Sequence, residues 1–121
     1  MVIGIGLDLC ETGRMEKLLQ DDRFLNRFFT PGEIAYIRGK GVHAADTMAG
    51  LFAAREALGK ALGSGLSFDL REAEIRHDSK GCPFYHLTGT LAECTSDERF
   101  LLSITHDGGI AAAVCIREKA V

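Results

Sequence analysis

One long helix-forming segment places the strongest limit on how this chain can fold. Residues His43 to Leu62 contain no proline, are rich in Ala and Leu, and are followed by Gly63-Ser64-Gly65, a typical C-terminal stop. A segment of this length would span about 30 Å, the diameter of a small domain. Three leucines cluster on one side and are expected to face the core: Leu51, Leu58 and Leu62. We therefore expect a long central helix.

The residues before this helix predict one strand and three shorter helices. Val2 to Asp8 is an apolar, β-prone run, and it predicts a core strand that delivers Asp8 to its C-terminal edge. Thr12 to Gln20 and Asp22 to Phe29 have the pattern of short helices. Thr30-Pro31-Gly32-Glu33 is a capping box with proline at the first helical position, so another helix should run to about Arg38.

The C-terminal half is mostly β-prone. Leu70 to His77 and Cys82 to Leu87 predict two strands around a turn, and Thr90 to Thr95 predicts a short helix. Arg99 to His106 and Ile110 to Arg117 predict two strands joined by a hairpin turn at Asp107-Gly108-Gly109. The predicted fold class is α+β, with an antiparallel sheet packed against the long central helix.

Composition limits the possible functions. The 121 residues indicate one domain, residues 1–121, and 46% hydrophobic with 26% charged residues is ordinary for a globular protein. A formal charge of −3 argues against a dedicated nucleic-acid binder. No apolar run is long enough to cross a bilayer and no leader is visible, so we expect no membrane association and a cytoplasmic location. None of the four cysteines forms a CxxC, and we interpret all of them as buried free thiols.

Two carboxylates are candidate ligands for a divalent cation. Asp8 at a strand end and Glu56 on the long helix could converge on Mg²⁺, although surface carboxylates are common and spacing alone favours no metal. Lys60, one turn after Glu56, is either its ion-pair partner on a solvated face or a clamp for phosphate, and spacing favours the ion pair. Gly63-Ser64-Gly65 is either a helix cap or a backbone surface that a nucleotide could approach.

Among the histidines, His106 is the most suggestive. It ends a predicted strand immediately before the Asp107-Gly108-Gly109 turn and follows Ser103 and Thr105, so hydroxyl groups and an imidazole are expected close together. A lone histidine at a strand end is more often a polar surface residue. The remaining histidines lack such neighbours, and we interpret them as incidental: His43, His77 and His86.

Five blocks in this order resemble the holo-acyl-carrier-protein synthases, the small bacterial branch of the 4′-phosphopantetheinyl transferase superfamily. The blocks cover essentially the whole chain: GIGLDLCE at 4–11, RFFTPGEI at 27–34, AGLFAAREALGKALGSG at 49–65, DSKGCPF at 78–84 and LSITHDGGIAAAVCI at 102–116. The resemblance implies transfer of phosphopantetheine from coenzyme A to a serine of apo acyl carrier protein, with release of adenosine 3′,5′-bisphosphate, for fatty acid biosynthesis. It also implies a homotrimer with active sites shared between neighbouring chains.

The resemblance also implies roles for individual residues. Asp8 and Glu56 would hold Mg²⁺, and Lys60 would contact the phosphates. The coenzyme A pocket would be lined by further positions in the later blocks: Gly63, Ser64, Gly65, Gly81, Pro83, Ser103 and His106. The base that takes the serine proton stays open between Glu56, His106 and a metal-bound water.

Four positions depart from the family pattern, the mildest being Thr105 in place of Ser. Leu51 stands where the family usually has Arg and removes one expected phosphate contact, whereas Arg55 replaces a usual Lys and could still grip phosphate. Cys82 replaces the customary basic residue of the Gly-Lys-Pro turn. The affinity for coenzyme A is therefore expected to be lower or differently distributed.

A basic group near the predicted metal strand suits an acidic carrier protein. Four cations at helical spacing could form this docking patch: Arg14, Lys17, Arg23 and Arg27. The competing interpretation is a solvated face with interspersed acidic residues. Alternatives for the whole chain are a non-catalytic coenzyme A or nucleotide-binding module and a structural trimeric scaffold, but the presence of Asp8, Glu56 and Lys60 counts against both.

Overall fold

The chain contains five helices and five strands within residues 1–120, the part that this computed structural model describes. In chain order the elements are β1 (Val2–Glu11), α1 (Thr12–Leu18), α2 (Asp22–Phe28), α3 (Pro31–Arg38), α4 (Ala44–Leu62), β2 (Ala73–His77), β3 (Pro83–Leu87), α5 (Gly89–Cys94), β4 (Glu98–Asp107) and β5 (Ile110–Lys119). The predicted α+β class with antiparallel strands is confirmed.

The strands form two separate antiparallel sheets. One has three strands in the order β1-β5-β4, and the other is the β2-β3 hairpin. In the larger sheet Leu7 pairs with Val114, which pairs with Ser103, so these three residues share one face. Asp8 pairs with Ala113, which pairs with Ile104, and these residues face α4. The sheet therefore has an inner face toward the long helix and an outer face that no other element of residues 1–120 covers.

Two glycines in β1 allow α4 to lie directly against the strand. A Cβ atom added to Gly6 would lie 1.8 Å from the carbonyl oxygen of Ala57, and one added to Gly4 would lie 2.3 Å from that of Ala61. Neither distance is compatible with a real side chain, so the helix backbone and the strand backbone approach each other only because both positions are glycine.

The helix α4 is buried on nearly every side. Leu51 and Leu58 are at most 2% exposed, as predicted, and Leu62 packs at the margin of the core. The helix begins at Ala44, after a 3₁₀ turn at Gly41–His43. It ends at Gly63 in the left-handed conformation, so the predicted C-cap is confirmed.

A buried ion pair joins α4 to its neighbours. Arg55 and Glu33 are 3% and 1% exposed, and Arg55 Nη2 donates to Glu33 Oε1 at 2.7 Å. Arg55 also donates to the carbonyl oxygens of Phe28 and Ala73. The expectation that Arg55 grips phosphate is therefore wrong, because its guanidinium is enclosed in the interior and bonded to protein acceptors.

The capping box at the start of α3 is confirmed. Thr30 accepts a hydrogen bond from the backbone of Glu33, and the Glu33 carboxylate accepts one from the backbone of Thr30. Glu33 Oε2 also accepts from the backbone N–H of Ile75 at 2.8 Å. The same side chain thus caps α3, neutralises Arg55 and fastens α3 to β2.

Several predicted boundaries were wrong. β1 continues for three residues beyond Asp8, because β5 pairs with it as far as Glu11. The predicted strand from Leu70 is shorter: Leu70–Glu72 forms a 3₁₀ turn, in which Asp69 accepts from the backbone of Arg71. Asp8 is consequently not at the end of its strand.

The cysteines divide into two groups. All four are free thiols, as predicted, but only Cys10 and Cys115 are buried. Cys82 and Cys94 are exposed, so the expectation of burial was wrong for these two. Cys82 lies in the β2-β3 turn and Cys94 at the end of α5, where neither side chain has a core to enter.

No helix among residues 1–120 combines the length and the apolar character needed to cross a membrane.

Replacing Gly6 with alanine should destabilise the fold, because the new methyl group would collide with the backbone of α4. We expect the free energy of unfolding to fall by about 1–3 kcal/mol, measured by urea denaturation. Gly13→Ala is the matched control, because a Cβ at that helical position meets nothing within 4 Å. It should be neutral or stabilise by up to about 1 kcal/mol. Equal stability of the two variants would contradict the close-approach argument.

Candidate active site

Asp8 and Lys60 meet where β1 crosses α4. Lys60 Nζ donates to Asp8 Oδ1 at 3.1 Å and to the carbonyl oxygen of Leu7 at 2.9 Å. The Asp8 side chain is 17% exposed and that of Lys60 is 53% exposed, so the pair opens to solvent on the lysine side. The ion pair that spacing favoured, between Glu56 and Lys60, is replaced by this contact with β1.

Glu56 is half-buried beside this pair. Burial raises the pKa of Glu56, and the negative charge of Asp8 raises it further, whereas Lys60 and Arg14 act in the opposite direction. The fold thus brings together the two carboxylates that the sequence singled out, although they come from different elements. The two negative charges repel each other, and a bound cation would reduce that repulsion.

The donor set around Asp8 and Glu56 fits a hard divalent cation that brings other ligands with it. No group of three or more His, Cys, Asp or Glu side chains within residues 1–120 could hold a metal ion by itself. Mg²⁺ commonly binds through one or two carboxylates, with water and substrate phosphate completing its shell. Two carboxylates open to solvent are consistent with that mode of binding.

His106 lies on the other side of α4, away from the carboxylates. Its Nε2 is 2.9 Å from the carbonyl oxygen of Asp46, which requires Nε2 to carry the proton in that contact. His106 lines a cavity of about 190 Å³ together with Leu51. Leu51 and Lys60 are nine positions apart and project in roughly opposite directions at 3.6 residues per turn. Within a single chain, α4 therefore lies between this cavity and the carboxylates.

The predicted pocket residues divide among three places. Gly81 and Pro83 line the same cavity as His106. Ser103 is on the outer face of the sheet, so the expected cluster of hydroxyls with His106 was wrong: residues of odd and even number on β4 point to opposite faces. Gly63-Ser64-Gly65 forms the α4 cap, in which the backbone N–H groups of Ser64 and Gly65 donate to Gly59.

Two residues of the cavity were missed by the sequence reasoning. Tyr36 and His77 both line it, and their rings stack with centroids 4.3 Å apart and planes 11° from parallel. His77 was interpreted as a histidine without informative neighbours, whereas the structure places it in the wall of the cavity that also holds His106. The available signal was its place at a strand end before the Asp78-Ser79-Lys80-Gly81 turn, but its neighbours belong to α3 and α4 and are distant in sequence.

The four cations of the predicted docking patch are exposed on α1 and α2. Within residues 1–120 none of them forms an ion pair with a carboxylate: Arg14, Lys17, Arg23 and Arg27. The acidic neighbours Asp21 and Asp22 are engaged elsewhere, the first as the α2 cap and the second with Arg38.

Phenylalanines lie beneath part of this surface. The guanidinium of Arg14 is 5.1 Å from the centre of the Phe52 ring, and that of Arg27 is 5.4 Å from the centre of Phe28. Phe28 and Phe52 are themselves in contact, with ring centroids 5.9 Å apart. Arg14 also influences the pKa of Glu56, so the basic surface borders the carboxylate site.

Comparisons with known proteins agree over nearly the whole chain. The family model described as the 4′-phosphopantetheinyl transferase superfamily matches residues 4–115. The holo-[acyl-carrier-protein] synthase of Treponema denticola is 41% identical, over 98% of this chain and 99% of the relative.

Solved structures give the same result. The holo-[acyl-carrier-protein] synthase of Neisseria meningitidis superposes with a TM-score of 0.88 at 29% identity, over 98% of this chain and 100% of that one. The Bacillus anthracis synthase, solved in complex with coenzyme A (3′,5′-ADP), has a TM-score of 0.83 at 34% identity over 98% of each chain. With the family match and these relatives together, the chain belongs to the 4′-phosphopantetheinyl transferase superfamily, on its holo-[acyl-carrier-protein] synthase branch, and is a phosphopantetheinyl transferase.

Proposed function

We propose that this chain, acting as one domain over residues 1–121, transfers 4′-phosphopantetheine from coenzyme A to a serine of apo acyl carrier protein in a Mg²⁺-dependent reaction. The observation that carries the proposal is the convergence of Asp8, Glu56 and Lys60 from β1 and α4. We also propose a cytoplasmic role in fatty acid biosynthesis, which the family membership supports, and the four free cysteines are compatible with a reducing compartment.

The reaction determines what these side chains must do. The serine oxygen forms a bond to the phosphorus that carries pantetheine, the phosphoanhydride bond breaks, and adenosine 3′,5′-bisphosphate leaves with the bonding electrons. Negative charge grows on the leaving phosphate, so catalysis requires positive charge there and a fixed in-line geometry. Lys60 Nζ, held beside Asp8 by two hydrogen bonds, provides a positioned positive charge.

Asp8 and Glu56 are the residues that would hold Mg²⁺. When bound, the ion would supply charge neutralisation for the pyrophosphate of coenzyme A. Glu56, beside Asp8, is also a candidate for the group that accepts the serine proton. His106 of the same chain lies across α4 and is poorly placed for that role.

The positions of the two halves of the site support a pocket shared between chains. The carboxylates and the His106 cavity lie on opposite sides of α4, so a coenzyme A molecule that touches both would meet the carboxylates of one chain and the cavity of another. The outer face of the sheet offers an apolar surface for such an assembly: Ile5, Leu7 and Leu9 are 65%, 60% and 64% exposed. We propose a homotrimer in which second copies cover this face.

The basic surface on α1 and α2 is the proposed docking site for the acidic carrier protein. Its cations have no acidic partner within residues 1–120. They lie next to the carboxylates of the candidate active site, to which the serine of the carrier would be brought. Exposed cations act together by steering encounter and orienting the partner, more than by individual contacts.

Removing either proposed metal ligand should abolish turnover. Asp8→Asn and Glu56→Gln are each expected to lower kcat by about 100-fold or more, because phosphate charge is no longer offset. The readout is the gain of about 340 Da by apo carrier, a mass that follows from phosphopantetheine transfer. Glu93→Gln, which changes an exposed carboxylate on α5, should retain wild-type activity. Wild-type rates in Asp8→Asn or Glu56→Gln at saturating Mg²⁺ would contradict the assignment.

Mixing two inactive variants tests whether sites are shared. Glu56→Gln and His106→Ala trimers should each be impaired, and co-refolded mixtures should recover about a quarter of wild-type activity, since random assembly pairs intact halves at that frequency. Recovery requires Glu56 and His106 to come from different chains. No recovery in mixtures whose mass is confirmed as trimeric would place each site within one chain.

Charge reversal tests the docking surface. The double variant Arg14→Glu/Arg27→Glu should raise KM for the carrier well above any change in KM for coenzyme A, and should flatten the rise of carrier KM with salt. The control Arg76→Glu/Lys119→Glu makes the same change in net charge outside α1 and α2. Equal effects of both double variants on carrier KM would show that the surface is only a solvated face.

A further inference from the structure

The buried side chain of Arg55 contacts the end of α2, a helix that carries part of the basic surface. Its Nη1 donates to the carbonyl oxygen of Phe28 at 2.8 Å. Phe28 is the last residue of α2, and a carbonyl at this place has no partner within its own helix. The guanidinium carbon also lies 5.7 Å from the centre of the Phe29 ring. Because the helix dipole places partial negative charge at this end, Arg55 is a favourable C-terminal cap that comes from another helix.

The helix α2 has few other contacts that fix its place. It is seven residues long, and a helix of this length is not stable by itself in water. Of these seven residues, Leu25 alone is buried. The rings of Phe24 and Phe28 pack against Phe52 at the margin of the core. The position of α2 against α4 therefore depends on a small set of contacts, and the bond from Arg55 is one of them.

The arginine carries a cost that a lysine would not have. Its Nε is buried and has no acceptor among residues 1–120, and an unpaired N–H in the interior lowers stability. A lysine could place the same charge beside Glu33 without this N–H. It would lack the second terminal nitrogen, since Nη2 donates to Glu33 while Nη1 donates to Phe28. The property that distinguishes arginine from lysine here is therefore its contact with the end of α2.

A fixed α2 would favour binding of the carrier protein. The basic surface is divided between α1 and α2, so the spacing of its cations depends on how the two helices are held. A partner that contacts both helices binds with reduced apparent affinity when the correct arrangement is only partly populated. Arg27 directly precedes Phe28, so it lies at the end of α2 that Arg55 holds.

We propose that Arg55 is a positioning residue for the carrier protein: by capping α2 from within the core, it holds the α2 half of the basic surface in the arrangement that the carrier binds. The inference rests on the proposed function, in which this surface is the docking site. Arg55 is not a catalytic residue, because its guanidinium is enclosed by groups of the interior. A bound carrier would itself hold α2, so Arg55 governs how readily the carrier binds and not how fast the bound complex reacts.

The test replaces Arg55 with lysine, which keeps the charge beside Glu33 and removes the second terminal nitrogen. Arg55→Lys should raise KM for the apo carrier about 5-fold, the effect of one lost hydrogen bond. The Kd of the apo carrier, measured by calorimetry, should rise by the same factor. The values of kcat, of KM for coenzyme A and of the melting temperature should stay close to wild type. The matched control is Arg117→Lys, which makes the same replacement in the ion pair with Glu98 and should leave the carrier KM unchanged.

A second variant removes every side-chain donor at position 55. Arg55→Met/Glu33→Gln leaves the net charge unchanged, and the new amide oxygen can still accept from the backbone at the start of α3. It should show the same selective rise in carrier KM. Charge reversals then locate the effect. Arg27→Glu should raise carrier KM by a smaller factor in the Arg55→Lys protein than in wild type, whereas Arg14→Glu on α1 should raise it by the same factor in both.

The outcomes separate this inference from the proposed reaction. If the wild-type protein transfers phosphopantetheine and both Arg55 variants keep its KM and Kd for the carrier, the positioning proposal is overturned and the reaction stands. If the wild-type protein binds the carrier without transfer and Arg55→Lys weakens that binding, the reaction is overturned and the positioning proposal stands. A joint loss of kcat, coenzyme A affinity and melting temperature in Arg55→Lys would show that Arg55 only supports the fold. Equal effects of Arg27→Glu in wild type and in Arg55→Lys would also overturn the proposal.

Discussion

The contact of α4 with the two glycines of β1 is the constraint on which the rest of the structure depends. Gly4 and Gly6 have no Cβ atoms, so the helix lies against the strand at a distance that no other residue permits. Asp8 is the next position after Gly6 on the same face, and Lys60 follows Ala57 by nearly one turn. Close packing of two backbones therefore sets the separation of the carboxylate and the lysine. The candidate active site is a direct consequence of how the core is packed.

The buried ion pair between Arg55 and Glu33 fixes the side of α4 that faces away from β1. Buried ion pairs carry a large desolvation penalty, which is offset only when the charged groups are fully hydrogen-bonded. Arg55 and Glu33 meet most of that condition: the pair bonds to itself, to the end of α2, to the start of α3 and to β2. Through these bonds, one network holds the helix of the basic surface and the strand that carries His77. Arg55 is adjacent to Glu56 in sequence, yet Arg55 points into the interior whereas Glu56 points to the side of the helix that carries Lys60.

The accuracy of the sequence predictions depended on whether the determining contacts were local. The capping box at Thr30, the cap at Gly63 and the turn at Gly108-Gly109 depend on neighbouring residues, and all were predicted correctly. The length of β1 depends on pairing with β5, about a hundred positions away, and was underestimated. The role of Arg55 was also missed, because a charged residue on a helix carries no local sign that a buried carboxylate on α3 will enclose it.

The sequence by itself determined the α+β class and the long central helix, and it singled out Asp8, Glu56 and Lys60 as candidate site residues, because residue type, helical period and block order are all written along the chain. Only the tertiary structure decided which side chains lie close together in space. It set Asp8 beside Lys60, turned Ser103 to the outer face, and brought His77 and Tyr36 into the cavity of His106. The physical reason is that these contacts join elements distant in sequence, and their geometry is set by backbone approach and buried hydrogen bonds that no local pattern encodes.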